Sequence, residues 1–194
     1  MAGPKLHITG AACTGATTLG RHLAEALGVP LLDTDDFYWR PTDPPFTDKR
    51  PAAARIALMQ EAMGEDGWII SGSIDGWGDP LLVGADLIVF LTAPTAMRLA
   101  RLKARERRRF GERIAPGGDM EGVHANFLVW ASQYDDTGFP GRSRLRHETW
   151  LAEQTVPVLR LDARQPPDRL AAEVLARLAE MGYGAGGEPK ENAT

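Results

Sequence analysis

Apolar residues along this chain fall into two rhythms: short, nearly unbroken runs, and longer stretches in which they recur every three to four positions. The short runs at residues 5–9, 31–33, 68–71, 86–91 and 156–161 predict five strands, and their lack of polar alternation suits a parallel sheet covered on both faces. Between them, helical spacing predicts helices over about 15–27, 52–63, 95–110, 120–134, 142–154 and 167–181. In the first of these, Leu19, Leu23 and Leu27 share one face while Arg21 and Glu25 lie off it, and Gly28 stands as a C-cap ahead of Pro30. Pro41, Pro44, Pro45 and Pro51 make 40–51 a loop, and Pro116-Gly117-Gly118 breaks the chain again. Strands alternating with helices imply a three-layer α/β fold with a five-stranded parallel sheet. No repeat or linker divides it, so residues 1–181 are expected to form one domain, with a fraying tail at 182–194.

Composition narrows the class. The chain has 194 residues, of which 43% are hydrophobic and 25% charged, ordinary values for a globular domain. A net charge of −4 argues against a general nucleic-acid binder. The single cysteine, Cys13, cannot form an internal disulfide. The longest apolar runs, 87–91 and 127–131, are far short of the roughly 20 residues that span a bilayer. No signal-peptide pattern opens the chain, and a soluble, cytoplasmic protein with no membrane partner is the expectation.

The sharpest chemical signal lies between the first strand and the first helix. Gly10-Ala11-Ala12-Cys13-Thr14-Gly15-Ala16-Thr17-Thr18 matches the phosphate-loop pattern G-x-x-x-x-G-K-[ST] except that Ala16 stands where the lysine belongs. Gly10 and Gly15 allow the backbone to curl with its N–H groups inward, and the helix start adds partial positive charge. Thr17 occupies the position whose hydroxyl normally meets Mg²⁺. A tight strand-to-helix turn without a ligand is the plainer alternative. Arg21 and the arginines downstream are candidates to replace the missing lysine. After the second strand comes Asp33-Thr34-Asp35-Asp36, expected beside the first strand and facing the same site. A carboxylate there can orient Mg²⁺ or accept a hydroxyl proton, although capping and turn formation explain these residues equally simply. Phe37, Tyr38 and Trp39 follow as a pocket wall or as core. The turn at 71–78 carries Asp75 among small residues, either a substrate contact or a glycine-rich loop.

Between Arg98 and Arg113 stand eight basic residues against Glu106 and Glu112. Arg98, Arg101, Arg105 and Arg108 fall on one helical face. With a phosphate loop upstream, arginines of a closing lid (about 107–120) are expected to meet phosphate oxygens, with a solvated face and an RNA patch as lesser readings.

Over residues 5–181 the chain resembles the P-loop kinases of the adenylate kinase and shikimate kinase group. The resemblance rests on the loop 10–18, Asp33-Thr34-Asp35, the glycine turn after the third strand and the arginine-rich helix. It implies a P-loop NTPase fold with a helical lid, ATP as phosphate donor and Mg²⁺ as cofactor. It places Gly10, Ala12, Cys13, Thr14, Gly15, Ala16, Thr17 and Thr18 around the phosphates. Thr17 and Asp33 would serve the metal, Asp33 and Asp35 the metal and acceptor hydroxyl, and Arg101, Arg105 and Arg113 the ATP phosphates. Residues 162–166 would lie near the adenine. The Asp-Gly-Phe-Pro-Arg signature of adenylate kinases and the triple glycine of shikimate kinases are both missing from their usual places, so neither substrate carries over. The chain also looks like bacterial adenylate-kinase-like proteins in which the same lysine is replaced. A phosphotransferase acting on a small molecule or nucleotide is therefore expected. The rival is a nucleotide-binding sensor or scaffold that has lost catalysis. Nothing in the sequence fixes the acceptor or the oligomeric state.

Overall fold

In a computed structural model, which describes residues 2–184, five parallel strands form one sheet in the order β2-β3-β1-β4-β5. The strands are β1 (Lys5–Gly10), β2 (Leu31–Asp33), β3 (Trp68–Ser71), β4 (Leu87–Thr92) and β5 (Val158–Asp162). Seven α-helices are found among the described residues: α1 (Ala16–Leu27), α2 (Thr34–Tyr38), α3 (Ala52–Ala62), α4 (Thr95–Phe110), α5 (Glu121–Ser132), α6 (Arg144–Ala152) and α7 (Pro167–Glu180). The three-layer α/β fold read from the sequence is the fold observed. From residue 185 onward, the expected fraying tail lies outside the described residues.

The sheet is buried on both faces because its strands alternate between two apolar clusters. Leu6, Ile8, Val89 and Leu91 meet Leu19 and Leu23 of α1 and Leu170, Val174 and Leu178 of α7. Ile70, Ile88 and Phe90 meet Met59 of α3 and Trp150 and Leu151 of α6 on the other side. Burying one such side chain stabilises by about 1.5–3 kcal/mol, so both layers are held chiefly by apolar burial.

Three details differ from the sequence reading. β2 is an edge strand that pairs with β3, which separates it from β1, so Asp33 does not emerge beside the first strand. A short helix, α2, forms directly after β2 because the Asp33 carboxylate caps it, accepting from the Asp35 N–H at 3.1 Å. The segment expected as one helix at 120–134 is α5 followed by a 3-10 turn at Gln133–Asp135. Elsewhere the differences are of one or two residues at element ends. Gly28 caps α1 as expected, with φ 66° and its N–H bonded to Ala24 O.

Candidate active site

The carboxyl ends of the parallel strands gather the loops that carry the candidate chemistry, as this topology requires. At the end of β1 the chain turns through residues 10–15. A Cβ on Gly10 would lie 2.4 Å from Leu91 O, so only glycine fits. Cys13 (φ 63°) and Gly15 (φ 105°) take left-handed conformations that reverse the chain into α1. Thr14 is buried and donates its hydroxyl to Ala11 O at 2.9 Å, pinning the loop from inside. Gly15 offers no side chain to cap α1, so the first-turn N–H groups around Ala16, Thr17 and Thr18 stay open for an external acceptor. Ala12 and Cys13 are partly exposed on the rim. Burial pushes the Cys13 thiol up despite the opposing charge of Arg105.

The tie between the loop and the carboxylates is direct. Thr17 Oγ1 donates to Asp33 Oδ2 at 2.7 Å, although β2 and β1 are not neighbours. Gly72 makes this possible, since a Cβ there would clash with Thr34 Oγ1 as the β3 turn passes under α2. Asp35 is exposed, yet desolvation by the protein around it, with the Asp33 charge, pushes its carboxyl up. The positive charges of Arg142 and Arg105 oppose that rise. Asp36 is exposed on the outer side of α2.

The basic face of α4 divides in two. Arg98 does not belong with the site: it is 1% exposed, and it donates to Ala93 O and Ala131 O at 3.3 Å and to Thr95 Oγ1 at 2.8 Å. With Asp135 it joins the start of α4 to the end of α5. Arg101 instead lies on the phosphate loop, donating to Thr14 O at 3.4 Å and to Ala163 O in the loop after β5 at 2.9 Å. Arg105 pairs with the buried Glu106. Arg108 and Arg21 are exposed. Arg113 stands further out, its guanidinium taken by Asp43 at 2.5 Å and Asp119 at 2.6 Å.

Several residues at this end were not singled out in the sequence. Arg142 packs its guanidinium 4.8 Å from the Trp130 ring, and its buried Nε has no hydrogen-bond partner among the described residues. Burial lowers its pKa, while the charges of Asp75 and Asp35 pull it back. Arg55, 8% exposed, lies 3.6 Å above Tyr38 and donates to Arg50 O. Tyr38 and Trp39 therefore form a wall with Arg55, Trp77 and Phe46, whereas Phe37 packs into the core. Asp75 is occupied: Arg146 Nε sits 2.6 Å away as a charge contact, and Ser73 and the fully buried His147 face its other oxygen. Burial alone would raise the Asp75 carboxyl, but the His147 and Ser73 hydrogen bonds and the His147 and Arg146 charges hold it at about 2. Tyr134 OH, kept protonated by burial, shares a 2.9 Å hydrogen bond with His147 Nδ1 and locks this network. A lone basic residue between Gly-rich and Trp-rich segments gives no sequence pattern, so these partners become visible only in three dimensions.

Among the described residues, no cluster of three or more His, Cys, Asp or Glu side chains forms a metal cage. The Thr17–Asp33 pair nevertheless fits Mg²⁺, which usually takes one or two protein oxygens and completes its shell with water and phosphate. No helix among the described residues is long and apolar enough to cross a membrane.

This architecture, with its glycine-framed loop between β1 and α1, has the fold of the P-loop kinases. The structure is similar to shikimate kinase from Bacteroides thetaiotaomicron (TM-score 0.54, 20% identity, covering 93% of this chain and 98% of that one). It is similar to a gluconokinase from Sinorhizobium meliloti 1021 (TM-score 0.52, 18% identity, 92% and 93%) and to shikimate kinase from Aquifex aeolicus (TM-score 0.50, 16% identity, 93% and 99%). At these identities the likeness concerns the fold. No family model matches the sequence. The chain is 41% identical over 158 residues to the "Uncharacterized protein YqaC" of Bacillus subtilis (strain 168), spanning 81% of this chain and 87% of that protein. It belongs to the YqaC family.

Proposed function

We propose that this protein is an ATP-dependent phosphotransferase that uses Mg²⁺ and acts on a small molecule or nucleotide. The observation that carries the reading is the 2.7 Å bond between Thr17 of the loop and Asp33 of β2. It brings a hydroxyl and a carboxylate together beside open N–H groups, as a metal-assisted phosphate site requires. In this reading the N–H groups of residues 12–18 hold the donor's phosphates, and Thr17 and Asp33 hold Mg²⁺. Mg²⁺ supplies neutralising charge for the phosphate oxygens. Asp35, its carboxyl raised by burial and by Asp33, accepts the proton of the acceptor's hydroxyl. Arg101 and Arg105 stabilise charge on the transferred group, and Arg113 joins them when the segment 107–120 closes as a lid. The acceptor lies between Asp35 and the wall of Tyr38, Trp39 and Trp77, and the reaction runs in the cytoplasm.

The test is a calorimetric titration of the protein with ATP, with and without Mg²⁺. Mg²⁺-dependent binding is expected, and Thr17→Ala should reduce the Mg²⁺ enhancement about tenfold, the loss of one charge-assisted contact. Equal affinity with and without Mg²⁺ would count against the site.

Ala16 favours one second reading, a nucleotide-binding sensor or scaffold without catalysis. ADP release during a screen of hydroxyl- and phosphate-bearing acceptors separates the two.

A further inference from the structure

Helix α6 carries two consecutive residues that the proposed mechanism leaves unused, Arg146 and His147, and both close on the turn that follows β3. His147 is fully buried, its ring crossing that of Phe90 on β4 at 5.8 Å and that of Tyr134 at 5.6 Å. Its Nε2 lies 3.2 Å from Ser73 Oγ and 3.4 Å from Asp75 Oδ1, and its Nδ1 lies 2.9 Å from Tyr134 OH. From the outer side, Arg146 sets Nε 2.6 Å from Asp75 Oδ2 and donates a terminal nitrogen to Asp75 O at 3.1 Å. One turn further along α6, Trp150 Nε1 donates to Asp79 Oδ1 at 2.6 Å. The helix thus grips residues 73–79 at both ends. Between those points the segment closes on itself. The Trp77 and Gly78 N–H groups donate to Ile74 O at 3.1 and 2.8 Å, and Trp77 Nε1 donates to Ser73 O at 3.2 Å. What the gripped segment presents is the Trp77 ring, 6.2 Å from the Tyr38 ring and 5.2 Å from the Arg55 guanidinium.

The hydrogen bonds around His147 have one consistent direction. An ionised carboxylate only accepts, so the Ser73 hydroxyl gives its proton to Asp75. Ser73 Oγ can then only accept from the imidazole, which puts a proton on Nε2. Nδ1 is left to accept from the Tyr134 hydroxyl. A doubly protonated ring would donate at Nδ1 instead. The hydroxyl proton of Tyr134, a residue 5% exposed, would then have no acceptor among the described residues.

We propose that His147, held by Tyr134 as the Nε2–H tautomer, is the positioning residue of the acceptor side: through Ser73 and Asp75 it fixes the turn that sets Trp77 in the wall. The proposal rests on the reading above that this wall borders the acceptor, and it adds the group that holds the wall in place.

The test uses the full-length chain labelled with ¹⁵N in histidine and tryptophan. Long-range imidazole spectra at neutral pH, assigned with His147→Gln, should show His147 protonated at Nε2 and bare at Nδ1. Tyr134→Phe and Ser73→Ala should each speed exchange of the Trp77 indole N–H, assigned with Trp77→Phe, about tenfold, the loss of one hydrogen bond. Ser73→Thr keeps the hydroxyl and should hold the wild-type rate, which separates loss of the bond from loss of folding. Among hydroxyl- and phosphate-bearing acceptors, the one that releases most ADP serves for kinetics. For it, Tyr134→Phe should raise KM about tenfold and leave kcat and MgATP affinity within about twofold. An imidazolium or an Nδ1–H tautomer at His147 overturns the proposal, as does a Trp77 indole signal that ignores both substitutions. An unchanged KM in Tyr134→Phe also overturns it. Wild type that releases no ADP with any acceptor overturns the phosphotransferase reading and this inference with it, a result distinct from turnover that ignores Tyr134.

Discussion

At the scale of single residues, the site combines two carboxylates in unequal surroundings. Asp33 is engaged by Thr17 and by the Asp35 N–H, whereas Asp35 is raised by burial and by the Asp33 charge. A carboxyl raised in the folded state binds protons more tightly there than in the unfolded chain. Its charged form therefore costs stability, a cost that appears as pH rises through the ordinary carboxylate range to the raised value and persists at neutral pH. Asp35→Asn removes that cost, so the variant should melt above wild type at pH 7 and with it at strongly acidic pH, as scanning calorimetry can measure. In the same variant phosphoryl transfer should fall by at least about a hundredfold, the contribution of a general base, while ATP affinity changes less than about twofold. Unchanged turnover would remove Asp35 from the mechanism. The phosphate-loop pattern was readable because its glycines and threonines are contiguous. Arg142, Arg55 and His147 were not, because each acquires its meaning from partners far away in the chain.

At the scale of elements, hydrophobic periodicity located all five strands and six of the seven helices. The exception, α2, has too few residues for a period and exists because Asp33 caps it. Spacing misled on α4, where Arg98 shares a helical face with Arg101 and Arg105. Arg98 in the first turn reaches α5 and Arg101 in the next reaches the phosphate loop, so one face serves two neighbours. Arg98 is a structural rivet: its guanidinium satisfies two buried carbonyls and Asp135 and lies 4.9 Å from the Tyr134 ring. Arg98→Leu leaves those acceptors unpaired and should cost roughly 2–3 kcal/mol in urea unfolding, with α4 and α5 loosening first in hydrogen exchange. A loss below about 0.5 kcal/mol would show the buried pair to be neutral.

At the scale of the whole molecule, the proline-rich loop 40–51 and the end of α4 meet over the carboxyl ends of the strands. Arg113 bridges Asp43 and Asp119, and Phe46 lies against Phe110 and under Arg109. The ion pairs are exposed, so Asp43→Ala should change global stability by less than about 1 kcal/mol. It should nevertheless quicken amide exchange in residues 40–51 and 111–119, which exchange mass spectrometry can resolve. Unchanged exchange there would mean that Asp43 does not hold the two segments together. By itself the sequence determined the layered α/β fold, the phosphate-type loop and its missing lysine, because these depend on local periodicity and on contiguous residues. Tertiary structure alone decided that β2 sits at the sheet edge, that Asp33 still reaches Thr17, that Arg98 is buried, and that Arg101 reaches the loop. Strand order and side-chain neighbours arise from packing between distant segments, which no single stretch of sequence encodes.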